Sequence, residues 1–223
     1  MASNMNDIIT IDGPSGSGKS TISRLLAQRL NYAYLDTGAM YRAVGLAALR
    51  NNVEIVESGD IMSLLDTIKI TILPGEGDTT VLLNDEDVSL AIRSTDMAMV
   101  ASKISALPSV RKKLTDLQQD IGKAGAIVAE GRDMGTVVFP GSKNKFFLSA
   151  TAQERARRRT EQLKEKGQAA QYDDILKQIL QRDHNDSSRA LAPLKPADDA
   201  IIVDSSTMTI DEVVQFMLNS IKR

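Results

Sequence analysis

One stretch constrains this chain more than any other: Asp7–Thr21, Asp-Ile-Ile-Thr-Ile-Asp-Gly-Pro-Ser-Gly-Ser-Gly-Lys-Ser-Thr. Ile8 to Ile11 is a run of strand length and β-branched character, and Ser20 to Leu30 carries the apolar period of a helix. Between them, Gly13 to Ser20 fits G-x-x-x-x-G-K-[ST] at every fixed position. A glycine-rich turn from strand into helix lets consecutive N–H groups face one anion, and the helix dipole adds positive potential there. Gly13, Pro14, Ser15, Gly16, Ser17, Gly18, Lys19, Ser20 and Thr21 therefore form a candidate ATP site. Lys19 would reach the terminal phosphates and the Ser20 hydroxyl would ligate Mg²⁺. The bland alternative, a Gly/Ser-rich turn, is disfavoured because the strand–loop–helix context is satisfied as well.

The chain has 223 residues, more than one average domain and fewer than two, so one core with an added module is expected. A formal net charge of −2 argues against a nucleic-acid coat or a polybasic membrane anchor. Four Phe, four Tyr and no Trp leave few platforms for stacking a single strand. The absence of cysteine excludes disulfides, thiolate zinc sites and cysteine nucleophiles. No N-terminal segment pairs a basic flank with an apolar core, and no apolar run approaches the roughly 20 residues of a membrane helix. A cytoplasmic enzyme with no nucleic-acid polymer and no membrane as partner is expected.

Beyond the first helix, Tyr34-Leu35 reads as the end of a second strand, with Asp36 or Thr37 capping a helix that runs to about Arg50. Arg42 falls in the first turns of that helix, the unfavourable end for a cation, so a loop or a bound anion must offset it, or the arginine is simply solvated. From Glu57 to Ile92 the texture changes. A helix over Asp60–Thr67 precedes a strand over Ile68–Leu73, a turn at Pro74–Asp78, a returning strand at Thr79–Leu83 and a second turn at Asn84–Asp87. This reads as an antiparallel insert. Helices are expected over Arg93–Ile104, Val110–Ile121, Thr151–Gly167, Tyr172–Asp183 and Asp211–Ile221, and strands over Ala126–Ala129, Lys145–Ser149 and Ala200–Val203. Buried strands alternating with helices imply a parallel sheet covered on both faces, with ligand at the carboxyl ends of the strands. Asp12, Asp36, Glu130 and Asp204 stand at or just beyond such ends.

The second signal is arginine. Arg42, Arg111, Arg132, Arg155, Arg158, Arg159, Arg182 and Arg189 occupy candidate phosphate-facing places. Phosphoryl transfer needs alignment and positive charge more than covalent chemistry. Arg155, Arg158 and Arg159 fall at i, i+3 and i+4, where like charges repel by roughly 0.2–0.5 kcal/mol per pair and an anion would relieve them. A solvated face alternating with Glu154, Glu161 and Glu165 is the plainer reading, and the phosphate loop tips the balance toward function. His184, the only histidine, sits in a polar segment, Arg182–Arg189, and is not the catalyst expected. A phosphate acceptor is already ionised near neutral pH, its second pKa being about 6, and needs no base. Glu130, after an apolar strand, would hold Mg²⁺ through water, orient a nucleophile, or simply pair with an arginine.

Four segments recur together: Gly-Pro-Ser-Gly-Ser-Gly-Lys-Ser, Leu-Asp-Thr-Gly-Ala-Met-Tyr-Arg, Glu-Gly-Arg-Asp-Met-Gly-Thr-Val-Val-Phe-Pro and Asn-Asp-Ser-Ser-Arg-Ala-Leu-Ala-Pro-Leu. In this order and spacing the chain closely resembles the bacterial cytidylate kinases, nucleoside monophosphate kinases of the P-loop class, over nearly its whole length. The resemblance implies an α/β P-loop kinase fold: a five-stranded, mostly parallel sheet flanked by helices, a small antiparallel β insert and a short helical lid. It divides the chain into core 1–36, a monophosphate-binding region 37–110 with its insert at 57–92, core 111–150, lid 151–167 and core 168–223. It implies transfer of the ATP γ-phosphoryl to CMP or dCMP with Mg²⁺, by a monomer.

By the same resemblance, Arg42 and Arg132 match arginines on the acceptor phosphate. Ser102, Arg111 and Asp133 match the readers of cytosine, and Asp186 and Arg189 a pair near sugar and phosphate, with Arg182 a weaker match. Thr37 and Tyr41 join this substrate set. The implied catalytic set is Lys19, Arg132, Arg155, Arg158, Arg159 and Arg189, the helix arginines belonging to a mobile lid over ATP. Two departures stand out: Lys-Ser-Thr where many relatives have Lys-Gly-Thr, and Glu130 where an aspartate is common. The alternatives are a P-loop kinase of a small hydroxylated metabolite, such as a shikimate-like acid, and a nucleotide-driven ATPase or switch acting on a protein.

Overall fold

A computed structural model of the chain describes residues 7–73, 79–165 and 167–222. Strand β1 (Ile8–Asp12) runs through the glycine loop into α1 (Lys19–Leu30), and β2 (Ala33–Asp36) runs directly into α2 (Thr37–Arg50). Helix α3 (Gly59–Thr67) precedes β3 (Ile70–Leu73), β4 (Thr80–Leu83) and β5 (Glu86–Asp87). A 3₁₀ turn, Ala91–Arg93, leads to α4 (Thr95–Ile104) and α5 (Pro108–Gly122). Then come β6 (Ile127–Gly131), a π-helical turn (Met134–Val138), β7 (Asn144–Ser149), α6 (Ala152–Glu165), α7 (Tyr172–Ser188), β8 (Ile201–Asp204) and α8 (Ile210–Ser220).

The main sheet has the order β2-β6-β1-β7-β8, and every pairing in it is parallel. Register sets Asp12 beside Gly131 and Asp36 beside Glu130, so the carboxyl ends of β1, β2 and β6 form one edge. Strand alternation feeds two cores. Ile127 and Ala129 join Leu35, Met40, Val44 and Leu114 on one face, while Val128 joins Ile9, Ile11, Leu26, Phe146 and Val214 on the other. Each fully buried Ile, Leu or Phe contributes about 1.5–3 kcal/mol. A sheet covered on both sides explains why β6 reads as unbroken apolar sequence up to Glu130.

Two expectations change. Asn84 and Asp85, with φ of 49° and 65°, alone make the second turn of the insert, and Glu86–Asp87 pairs with Leu82–Leu83 as a third strand. Both turn residues are of types that tolerate the left-handed region, and tight hairpins require it. The turn expected at Pro74–Asp78 lies outside the described residues. Helix α7 continues to Ser188, so Arg182–Ser188 is helical rather than an irregular polar segment. Asp, Asn and Ser are poor helix formers, but here tertiary anchors override propensity. Asp186 is buried against Arg132, and Asp183 accepts two bonds from Arg155 of α6.

Gln118 on α5 is fully buried, and neither its amide oxygen nor its nitrogen has a hydrogen-bond partner among the described residues. Each such group costs about 1–3 kcal/mol. Gln118→Met, of similar volume, is expected to raise Tm by about 2–4 °C per kcal/mol recovered. Calorimetry that shows a lower Tm would mean that the amide is satisfied, for instance by buried water.

Candidate active site

The loop after β1 begins where only glycine fits. Gly13 has φ 149°, and a Cβ there would stand 2.1 Å from Leu148 O on β7. Gly18, in the left-handed region, caps α1, and Lys19 opens it. The Lys19 ammonium lies under the loop, donating to Pro14 O at 2.6 Å and to Ser17 Oγ at 3.4 Å. Burial, and then repulsion from Arg132, holds its pKa well below the ordinary lysine value. Ser15 is held twice, its carbonyl by Arg155 Nη1 at 3.0 Å and its hydroxyl by Arg182 Nη1 at 2.8 Å.

Asp36 caps α2 by accepting from Ala39 N at 2.9 Å, and its other oxygen accepts from Arg42 Nη2 at 2.8 Å. That pair offsets the dipole penalty on Arg42. Thr37 donates to Glu130 O at 2.6 Å and so ties the start of α2 to the end of β6. Glu130 is buried. One of its oxygens accepts from the Tyr34 phenol at 2.5 Å, and the other has no partner among the described residues. Burial, reinforced by Asp36, raises the Glu130 pKa.

The corner after β6 is tight. A Cβ on Gly131 would lie 2.8 Å from Met134 and 2.9 Å from Thr37 Oγ1. Arg132 Nε donates to Asp186 Oδ2 at 2.9 Å. Burial alone would raise the Asp186 carboxyl, but Arg132 and Arg182 outweigh it and hold it below its ordinary value. Asp133 accepts from Arg111 and faces Arg189 at 3.9 Å, while burial raises its pKa. Arg111 also donates to Ser105 O at 3.0 Å and lies 5.8 Å from the centre of the buried Tyr41 ring, within cation–π range. Ser102 Oγ reaches Asp186 Oδ1 at 3.4 Å.

These groups line one cleft of about 850 Å³. Its lining includes the loop Ser15–Thr21 and Ser205–Ile210 together with Arg42, Arg111, Arg132, Arg189 and Ser102. Arg182 shows what such crowding does. Burial, then Arg132, lowers its guanidinium to about 10. A bound anion would relieve the repulsion felt by both Lys19 and Arg182.

The three arginines of α6 do not form the single free face expected. Arg155 is buried and fully engaged, donating to Ala150 O, to Ser15 O and, through two bonds, to Asp183. Arg158 is held by Glu154 at 2.8 Å and Ser205 O at 2.6 Å, and Arg159 donates to Gln162. The plainer reading of this helix holds for Arg157, which pairs with Glu154 and Glu161 at the surface. Asp204 ends β8 outside the cleft lining, and its carboxylate accepts from the backbone N–H and hydroxyl of Ser206, which does line it. His184 lies beside Asp173 and Leu180 in a shallow groove on α7, apart from the cleft.

Several contributors escaped sequence reasoning. Tyr34 shares a strand face with Asp36, a period-two signal that could have paired it with Glu130. Ser105, one turn after Ser102, holds two arginines of the cleft, its carbonyl accepting from Arg111 at 3.0 Å and its hydroxyl from Arg189 at 3.3 Å. Asp183 had no local signal, because its partner Arg155 lies 28 residues away.

Comparison with known proteins follows the same lines. The chain is 47% identical over 215 residues to a protein of Carboxydothermus hydrogenoformans named cytidylate kinase, covering 96% of this chain and 97% of that one. It is 50% identical over 210 residues to a protein of the same name from Caldicellulosiruptor saccharolyticus, covering 94% and 93%. Among solved structures, an uncharacterized protein from Eubacterium ventriosum superposes with a TM-score of 0.51 at 12% identity over 96% of this chain and 97% of that one, a likeness of fold alone. The sequence model of the cytidylate kinase family matches residues 9–223, and with relatives this similar over this length, the chain belongs to that family.

Proposed function

We propose that the protein transfers the γ-phosphoryl group of ATP to CMP or dCMP, giving ADP and CDP or dCDP. The observation that carries this reading is the meeting, in one cleft, of the Lys19 loop with a second set of cations, Arg42, Arg132 and Arg182, beside the Arg111–Asp133 pair. The first set suits a triphosphate and the second a monophosphate whose base reaches Asp133. An ionised acceptor phosphate needs no base, in keeping with the placement of His184 outside the cleft.

Among the described residues no three His, Cys, Asp or Glu are grouped to hold a metal, so Mg²⁺ would arrive with ATP rather than rest in a protein cage. Ser20 and the unpartnered oxygen of Glu130 suit an ion that keeps phosphate and water ligands. When bound, Mg²⁺ neutralises charge on the β- and γ-phosphates. Lys19 holds the same oxygens, Arg132 and Arg42 align the acceptor phosphate, and Arg158, Arg159 and Arg189 steady charge as it moves. Arg155 supports the loop from behind through Ser15. In this reading 37–110 binds the monophosphate, 151–167 closes over ATP, and closure keeps water from the γ-phosphate. The protein acts as a monomer on free nucleotides in the cytoplasm. Among the described residues no helix is long and apolar enough to cross a membrane.

Base choice follows from pairing. Asp133 accepts from cytosine N4, while Arg111 and Ser102 donate to the ring acceptors. Uracil inverts the N4 and N3 pattern and would leave buried groups unpaired, at roughly 1–3 kcal/mol each. A panel of monophosphates with ATP and Mg²⁺ is therefore expected to favour CMP or dCMP over UMP by roughly 10²-fold or more in kcat/KM. Equal turnover of UMP or AMP would sink the assignment. Rapid ATP hydrolysis without any monophosphate would favour the ATPase reading instead.

A further inference from the structure

Asp12 ends β1, one residue before the phosphate loop, yet both oxygens of its carboxylate accept from backbone beyond β6. Oδ1 accepts from Met134 N and Oδ2 from Gly135 N, both at 2.8 Å, and the residue is buried. Those two N–H groups open the π-helical turn Met134–Val138, where backbone donors have no partner within the turn. The residue placed to cap them is Asp133, of a favoured capping type. Its side chain makes no such bond and instead meets Arg111 and Arg189. The packing is close, since a Cβ on Gly135 would come within 3.1 Å of Thr10 Oγ1 and 3.4 Å of Asp12 Oδ2.

We infer that Asp12 is a positioning residue: by capping the turn in place of Asp133, it frees the Asp133 carboxylate for the acceptor base and holds the Arg132–Asp133 corner in register with the phosphate loop. The inference rests on the acceptor reading given above for what Asp133 recognises, but the cap itself does not. Burial raises the Asp12 carboxyl to about 6, against the opposing effect of the Gly135 and Met134 N–H groups. Two charged groups act on it: Asp133 at the corner raises the value further and Lys19 from α1 lowers it. Lys145 of β7 packs on Gly135, with its ammonium engaged by Asp199 and Pro140 O. The charged carboxylate accepts both N–H bonds. Once protonated, one oxygen becomes a donor facing N–H groups, and the cap slackens. The acceptor site therefore tightens as pH rises through about 6.

Asp12→Asn reproduces the shape and the donor of the protonated carboxyl. The ratio of its KM for CMP to that of the unmodified protein, taken at each pH, cancels the titration of CMP itself. A ratio of about tenfold at pH about 8, falling toward one near pH about 5, is expected from a lost charged hydrogen bond, with KM for ATP within about twofold. A ratio that does not change with pH, or an equal rise in both KM values, would overturn the inference. If Asp12→Asn fails to fold, the amide resonances of Met134 and Gly135 in the unmodified, ligand-free protein provide the second test. They should titrate together with a midpoint near 6, and flat shifts would overturn the cap. Titrating amides in a protein that does not phosphorylate CMP would support the cap while counting against the proposed acceptor.

Discussion

Lys19→Met is expected to lower kcat by about 10²–10³-fold, the usual cost of removing one preorganised donor from a transferring group. The ammonium is buried beneath the loop and bonded to Pro14 O, so the loop positions it before any ligand arrives. The fold should survive. Folding depresses the pKa of this lysine, so the unfolded chain binds the proton more tightly. At neutral pH the buried charge thus works against folding, and stability from this group increases as pH rises from the depressed folded value toward the ordinary lysine range. Methionine, of similar length, removes that penalty. Without nucleotide, Tm should hold or rise, while the increment in Tm that ATP confers should shrink. Unchanged turnover would refute the assignment of the loop, and a large fall in ligand-free Tm would reassign Lys19 to structure.

Arg132→Ala should lower kcat/KM for CMP by about 10²–10³-fold and leave KM for ATP nearly unchanged. Arg132 lines the same cleft as the phosphate loop. It pairs with Asp186 at 2.9 Å and repels both Lys19 and Arg182. Its removal weakens the hold on Asp186 but relieves two crowded cations, so the change in stability is expected to be smaller than the change in rate. Arg132→Lys should recover little, because an ammonium lacks the planar fork that spans a carboxylate and a phosphate together. Steady-state kinetics over a range of CMP concentrations decide the matter. An unchanged kcat/KM for CMP in Arg132→Ala would remove it from the acceptor site.

The donor loop was legible because its causes are local. Gly13 and Gly18 answer to backbone angles, and Lys19 and Ser20 to positions in one turn of helix. A cap at Asp36 or Thr37 was legible for the same reason, whereas the choice of Asp36 and its pairing with Arg42 were not. Misreadings came where composition and packing disagree. Arg182–Ser188 is polar enough to suggest an irregular segment, yet the burial of Asp186 keeps it helical. The spacing of Arg155, Arg158 and Arg159 suggested a shared anion, but a partner 28 residues on takes Arg155 out of the solvent. Asp12 looked like one of the acids of the phosphate edge and proved to serve the backbone of a neighbouring turn.

By itself, then, the sequence determined the phosphate loop, the alternation that makes a parallel sheet, and the antiparallel character of the insert. Each depends on residues within a few positions of one another. Motif resemblance named Ser102, Arg111, Asp133 and Asp186, but no spacing could say that they meet. Tertiary structure decided that, through a parallel register that brings Asp36 beside Glu130 and Asp12 beside Gly131, and through α4, α5 and α7 closing over the same edge. It also decided which cations remain for phosphate and which are spent on the protein. Burial and the partner across the cleft set that division, and neither is a property of neighbours in the chain.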